Sequence, residues 1–342
     1  MFENLYIPIQ YTTFLSNLQE VVEFEDFLLY DYIKMIDGEL DMNFYQKLIK
    51  IIDEERVLRD EPMKSHTTFR VGGPADYFVC PNCNAEVKEL VALCQAEAVP
   101  YYILGNGSNL LVGDKGYRGV VIQIYREMND IQVQGEHIYV EAGALLSRIG
   151  SIALEAELTG FEFAAGIPGT MGGAVVMNAG AYGGEMKDIL ESVVVLTPEG
   201  EVLELKNEEL ELGYRTSIIA KKDYVVLSAM IKLNYGNKEA IREKMNELKV
   251  QRTTKQPLEY PSAGSTFKRP EGYFAGKLIQ DAGLRGFQVG GAQVSEKHCG
   301  FVINKDGATA ADIVELMNQV SKIVKEQFGV ELEPEVKRVG EF

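Results

Sequence analysis

Three side chains in the second half of the chain have the makings of charge-stabilising and proton-transfer chemistry. Arg215 lies in Gly213-Tyr-Arg-Thr-Ser217, beside an aromatic ring and two hydroxyls. A planar guanidinium there is suited to clamp a carboxylate through two parallel hydrogen bonds; a surface ion pair is the competing reading. Ser265 lies in Pro261-Ser-Ala-Gly-Ser-Thr-Phe-Lys-Arg-Pro270. A serine hydroxyl is a poor acid near neutrality unless nearby cations favour its alkoxide, and Lys268 and Arg269 supply them; the competing reading is a surface turn with a solvated basic pair. Leu332-Glu-Pro-Glu-Val336 carries two carboxylates. Strand alternation would set Glu333 and Glu335 on one face, with one solvated and the other inserted in a site. Gly-x-Ser-x-Gly is absent, so a hydrolase elbow has no support.

Two glycine-rich stretches could hold a ligand for these groups. In Gly166-Ile-Pro-Gly-Thr-Met-Gly-Gly-Ala-Val-Val-Met-Asn-Ala-Gly-Ala-Tyr-Gly-Gly-Glu185, seven of twenty residues are glycine and none is lysine or arginine. Glycine lets backbone approach a ligand closely, and the interleaved alanines are unlike a solvated linker. This stretch reads as a backbone-lined floor for a large flat or phosphorylated cofactor; a loop of tight turns is the alternative. Gly105-Asn-Gly-Ser-Asn-Leu-Leu-Val112 follows a strand, yet no helix follows it and no Gly-Lys-Ser/Thr is present. It is neither a Rossmann nor a Walker loop. A nest of backbone N–H groups for a pyrophosphate remains open, as does a plain turn.

The elements that must position these groups alternate in type. The pattern predicts a strand over Thr67–Val79 interrupted by Gly72-Gly73-Pro74, a helix over Asn84–Ala96 and a strand over Tyr101–Leu104, together a βαβ unit with a parallel pair. Strands follow at Val120–Ile124 and His137–Glu141, a helix at Ala144–Leu158, a hairpin at Ser192–Thr197 and Glu201–Lys206, and a strand at Tyr224–Leu233. Glu239–Arg252 reads as a helix leading to a third region. That region holds Phe274–Ala282 (helix), Gly286–Val294 and Gly300–Ile303 (strands), Ala308–Phe328 (helix, capped near Thr309 and stopped by Gly329) and Val330–Val339 (strand).

Composition narrows the class. The chain has 342 residues and a formal net charge of −17, which argues against nucleic-acid binding. No stretch reaches the roughly 18 apolar residues of a membrane span. Cys80-Pro-Asn-Cys83 has no second pair and no nearby histidine to complete a metal site; it reads as a turn, and no metal is expected. Few cysteines and no secretory signal point to the cytoplasm. Residues 1–41 carry nine acids, one base and eight Phe or Tyr. They read as an appendage or upstream start of unknown role, with an acidic helical segment near Leu18–Met35. The compact protein is expected to begin near Met42, with Phe44, Leu48, Ile51 and Ile52 on one helical face.

The chemistry-bearing pieces, taken in order, resemble the UDP-N-acetylenolpyruvoylglucosamine reductases of peptidoglycan synthesis. The resemblance rests on His66-Thr-Thr-Phe-Arg-Val-Gly-Gly-Pro-Ala-Asp76, Gly105–Val112, Gly166–Glu185, Gly213-Tyr-Arg215, Ala263-Gly-Ser265, Gly291-Ala-Gln293 and Leu332-Glu-Pro-Glu335. It implies an α+β, FAD-binding fold of the vanillyl-alcohol-oxidase type with two FAD-binding subdomains, 42–103 plus about 326–342 and 104–236. A C-terminal α/β substrate-binding domain would span 245–325. It implies a monomer that uses NADPH and FAD to reduce UDP-N-acetylglucosamine enolpyruvate to UDP-N-acetylmuramate. Arg215 and Glu335 match the catalytic arginine and glutamate, and Ser265 matches the proton donor to C2.

The same resemblance places Gly105, Asn106, Gly107, Ser108, Asn109, Gly166, Gly169, Thr170, Gly172, Gly173, Asn178, Gly180 and Ala181 against FAD. It places Tyr182, Lys255, Lys268 and Gln293 toward substrate. One departure is that Ile218–Leu227 is too short for the extra tyrosine-bearing loop of some relatives, so the chain is expected to be of the shorter subtype. Two rivals are an FAD-dependent sugar or alcohol oxidase of the same fold and a non-catalytic flavin or nucleotide-sugar module. Neither stretch facing FAD contains the histidine or cysteine by which many such oxidases attach flavin. A non-catalytic module would leave Arg215, Ser265 and Glu335 without a task.

Overall fold

In the computed structural model of the protein, residues 42–342 are described; the expected segment near Leu18–Met35 lies outside them. The described chain divides into an N-terminal unit ending at Lys50 and a body from Ile51 to Phe342. The helix expected after Met42 is present as Phe44–Ile51, with Leu48 buried. Asn43 and Gln46 close its first turn reciprocally, each side-chain carbonyl accepting the other's backbone N–H at 3.0 and 2.9 Å.

The body begins with a four-stranded sheet in the order Val57–Pro62, Pro74–Val79, Tyr117–Gln123, Tyr101–Leu104. The first pair is antiparallel and the other two are parallel. Helix Asn84–Ala96 joins Pro74–Val79 to Tyr101–Leu104 and buries Val87, Leu90, Val91 and Cys94. The expected βαβ unit is therefore present, with one difference: Tyr117–Gln123 lies between its two strands and pairs with both. That central strand comes from beyond residue 103. The expected strand Thr67–Val79 is shorter, because residues 67–71 form a turn. Thr67 Oγ1 donates to the Val71 carbonyl at 3.0 Å, and Arg70 has φ +55°.

A second sheet is wholly antiparallel, in the order Val202–Lys206, Leu190–Leu196, Val225–Lys232, His137–Glu141, Ile131–Gln134. The glycine-rich stretch lies beside it and is more ordered than a string of turns. It holds helix Met171–Val176, capped by Thr170, and a hairpin of Gly180–Ala181 with Gly184–Glu185. Gly172 suits that helix because a Cβ there would meet Ala142 Cβ at 3.1 Å.

The C-terminal region packs helices Ala275–Asp281 and Ala310–Phe328 with the sheet Gln288–Val289, Ala292–Val294, Val302–Asn304. The expected strand Gly286–Val294 is a hairpin, broken at Gly290 (φ +52°). The core here also takes in Phe69, Val71, Leu111, Leu332 and Val336, from both ends of the body. The last strand is only Lys337–Val339, pairing in parallel with Leu110–Val112; Pro334, which lacks an N–H, ends the regular pairing before it.

The long helix is held at its start by two devices. Thr309 and Asp312 form a reciprocal capping box. Asp114, from the turn after Leu110–Val112, accepts the N–H groups of Ala310 and Ala311 at 2.8 and 2.9 Å. A carboxylate at a helix start satisfies orphan donors and complements the helix dipole. Asp114→Ala is expected to cost about 1–2 kcal/mol, read as a lower urea midpoint with unchanged slope; an unchanged midpoint would show that the capping box alone suffices.

Candidate active site

The C-terminal segment brings the distant pieces together. The backbone N–H of Glu335 donates to the Thr266 carbonyl at 2.9 Å, and that of Lys268 donates to Glu333 at 2.8 Å. Ser265 is thereby set beside the segment that carries Glu335. On the other side, Asn109 Nδ2 donates to the Glu335 carbonyl at 3.3 Å, and Lys337 N–H donates to the Asn109 carbonyl at 3.1 Å. The glycine loop 105–109, Ser265 and Glu335 are thus tied to one stretch of backbone.

Arg215 reaches the same place from a turn closed by two backbone bonds between Gly213 and Thr216. Its Nε donates to Glu335 Oε1 at 2.8 Å, and its Nη2 donates to the Gly180 carbonyl at 3.3 Å. Glu335 is 9% exposed. Burial pushes its carboxyl above the ordinary value of 4.5, against the opposing pull of Arg215 and Lys268.

These groups face a cleft of two adjoining cavities, about 760 and 570 Å³. Arg215, Ser265, Glu335, Gly166, Gly180 and Ala181 line the larger; Gly105, Gly107, Gly169, Thr170, Gly172 and Gly173 line the smaller. Asn106, Ser108 and Asn109 line both. Gly105 lets the loop meet Thr170, whose Oγ1 would be 2.4 Å from a Cβ at that position. Among the described residues, the backbone N–H groups of residues 106–109, and of Gly169 and Thr170, find no acceptor within the protein. A cradle of unsatisfied amides beside an apolar slot lined by Leu104, Val225 and Val226 suits a pyrophosphate-linked flavin.

Five expected ligand contacts, Asn178, Tyr182, Lys255, Lys268 and Gln293, line neither cavity. Asn178 lines neither cavity; its amide is used up on Glu185, Gly213 and the Lys187 N–H. Lys268 pairs with Glu333 outside the lining. Gln293 is buried, with Nε2 donating to Gly286 O and Gln288 Oε1 at 3.3 and 3.2 Å. Lys255 is exposed at the end of helix Lys238–Lys255 and does not line the cleft.

Arg252, which sequence reasoning passed over, does line the cleft, beside Gly166. Its guanidinium lies over Tyr182 at 5.8 Å, which is how Tyr182 relates to the site. Burial lowers the Arg252 pKa, and among the described residues no carboxylate pairs with it. A desolvated cation without a counter-charge is a ready anion-binding group. The only sequence signal for it was a basic residue near a helix end. Arg70, His66 and Tyr260 also line the larger cavity. Only Lys222, Asp223 and Tyr224 separate helix Ile218–Lys221 from strand Val225–Lys232, which leaves no room for the extra tyrosine-bearing loop.

Because the Glu335 carboxyl is raised, the folded protein keeps that proton where the unfolded chain has lost it. Stability conferred by the group therefore falls as pH rises above 4.5 toward the folded value. Glu335→Gln removes this titration. In urea titrations its stability relative to the parent should increase as pH is raised through that window and then level off. A flat or opposite trend would mean that pairing with Arg215, rather than burial, sets the carboxyl.

Comparison with known proteins gives a consistent result. A family model described as UDP-N-acetylenolpyruvoylglucosamine reductase, C-terminal domain, matches residues 256–339. A second, described as FAD binding domain, matches residues 75–206. The UDP-N-acetylenolpyruvoylglucosamine reductase of Caldanaerobacter subterraneus subsp. tengcongensis is 55% identical over 295 residues, 86% of this chain and 97% of that protein. The protein of the same name from Clostridioides difficile is 52% identical over 301 residues, 88% and 99% of the two chains. The crystal structure of UDP-N-acetylenolpyruvylglucosamine reductase from Thermus caldophilus superposes with a TM-score of 0.71 at 38% identity, covering 83% of this chain and 98% of that one.

Proposed function

Because the chain belongs to the UDP-N-acetylenolpyruvoylglucosamine reductase family, we propose that Arg215, Glu335 and Ser265 are its catalytic groups. The reaction is the NADPH-dependent reduction of UDP-N-acetylglucosamine enolpyruvate to UDP-N-acetylmuramate, a precursor of peptidoglycan, in an FAD enzyme with the vanillyl-alcohol-oxidase type of fold. The observation that carries the assignment is the direct Arg215–Glu335 contact on the wall of the cleft that Ser265 also lines.

FAD, when bound, supplies to the enolpyruvyl C3 the hydride that NADPH provides. The amides of residues 106–109, 169 and 170 would hold its pyrophosphate, and Gly166, Gly180 and Ala181, which line the adjoining cavity, would lie beside it. Hydride arriving at C3 builds negative charge on C2 and the adjoining carboxylate. Arg215 is held in place to meet that charge, at no cost of reorganisation. Glu335, protonated more readily than an ordinary carboxyl, donates a hydrogen bond to the same carboxylate. The Ser265 hydroxyl gives its proton to C2 and recovers one from water, to which it is open.

Arg252, rather than the exposed Lys255, meets an anionic group of the substrate. The first FAD-binding subdomain, drawn at 42–103 plus about 326–342, is extended to include strand Tyr117–Gln123. The second is then the remainder of 104–236, and the substrate domain is 245–325. The reading extends to a cytoplasmic enzyme that works as a single chain.

The test separates the two half-reactions in a stopped-flow instrument. In Ser265→Ala, NADPH should reduce bound FAD at close to the parent rate, while reoxidation of the flavin by substrate collapses. Arg215→Ala should slow that same second step by about 10²–10³-fold. Parent rates in both half-reactions of either variant would remove that residue from the mechanism.

A further inference from the structure

Arg215 occupies a conformation that an arginine does not adopt unaided. Its φ is +55°, a left-handed value that costs any residue with a Cβ. Such a residue persists only where its surroundings over-determine it. Two buried side chains, neither lining the cleft, do this from both flanks of the turn.

On one flank is Asn178, 1% exposed. Its Nδ2 donates to the Gly213 carbonyl at 3.1 Å and to Glu185 Oε2 at 2.9 Å, and its Oδ1 accepts from the Lys187 N–H at 2.9 Å. Two acceptors on one side and a donor on the other fix the amide's orientation. On the other flank is Ser217, fully buried, whose Oγ donates to the Val176 carbonyl at 2.6 Å. Val176 and Asn178 are near neighbours in the glycine-rich stretch, and Gly180 of that stretch accepts from Arg215 itself.

We propose that Asn178, seconded by Ser217, is a positioning residue: it locks the Gly213–Thr216 turn so that the Arg215 guanidinium is held against Glu335. The inference rests on the role given to Arg215 above. With the Asn178–Gly213 bond lost, the turn relaxes toward ordinary φ and the guanidinium leaves its place. The pyrophosphate cradle, built from residues 105–109 and 166–173, takes no hydrogen bond from the Asn178 side chain, whose partners are Glu185, Gly213 and Lys187. Aspartate is no substitute: its carboxylate would face the Glu185 carboxylate and the Gly213 carbonyl, both acceptors.

The experiment uses the FAD-loaded full chain. Asn178→Ala and Asn178→Asp should keep the bound-flavin spectrum and reduce FAD with NADPH within about threefold of the parent. Reoxidation by substrate should slow about 10- to 100-fold, with Asp no better than Ala. Ser217→Ala should move the same step in the same direction.

The decisive reading is the double variant. Arg215→Ala/Asn178→Ala should reoxidise no more slowly than Arg215→Ala alone, because Asn178 acts only through Arg215. Multiplying losses in the double variant, or equal slowing of both half-reactions in Asn178→Ala, would overturn the proposal. So would an unfolded Asn178→Ala together with a parent-like Ser217→Ala. If Arg215→Ala itself reoxidised normally, the reading of the active site would fail instead, so the two failures are distinguishable.

Discussion

The active site depends on one stretch of extended backbone, residues 333–339, bonded along both edges. One edge pairs with the segment that carries Ser265, through the Glu335 N–H to Thr266 and the Lys268 N–H to Glu333. The other pairs with the cofactor loop, through Asn109 and then the parallel register of Lys337–Val339 with Leu110–Val112. Each such bond contributes modestly in net terms, but a buried partner left unmade is costly. The register is therefore strongly specified, and with it the placing of Glu335 relative to Ser265 and to the loop 105–109.

Within that frame, Glu335 is subject to two opposed effects. Removal from water favours its neutral form, and the adjacent Arg215 favours the charged one. Burial prevails, and the carboxyl is raised. The two effects thus meet on one carboxyl, which also accepts the Arg215 Nε hydrogen bond. Arg252 shows the complementary condition, a half-buried cation that meets no carboxylate among the described residues. The cleft therefore offers positive charge to an anionic ligand, although the whole chain is strongly acidic.

Much of the fold was legible because periodicity and capping chemistry are local. The helices at 84–96, 238–255 and 310–328 and the antiparallel strands appear close to where apolar spacing put them, with Thr309 and Gly329 at the ends of the long helix. The misses share a cause. Val330–Val339 reads as a strand by composition, but Pro334 and the pairing on both edges divide it. Gly286–Val294 reads as a strand, but Gly290 turns it back on itself. The place of Tyr117–Gln123 between two other strands depends on long-range pairing that no local pattern encodes.

Residue type alone left Arg215 and Ser265 with surface readings and did not choose between Glu333 and Glu335; it was the resemblance carried by the ordered motifs that singled out three side chains, and the fold brings all three to one cleft. Residue type and spacing did mark out the glycine loops, because only glycine permits the close approach of Gly105 to Thr170. What a polar side chain does once the chain has folded was decided by tertiary structure alone. Asn178, Lys268 and Gln293 look like ligand contacts in sequence, yet each has its hydrogen bonds taken by protein partners. Arg252 looks like one more basic residue near a helix end, yet it faces the cleft. The physical reason is that donors and acceptors are satisfied by whatever the fold brings within reach, as Gly213 is brought to Asn178 and Glu333 to Lys268.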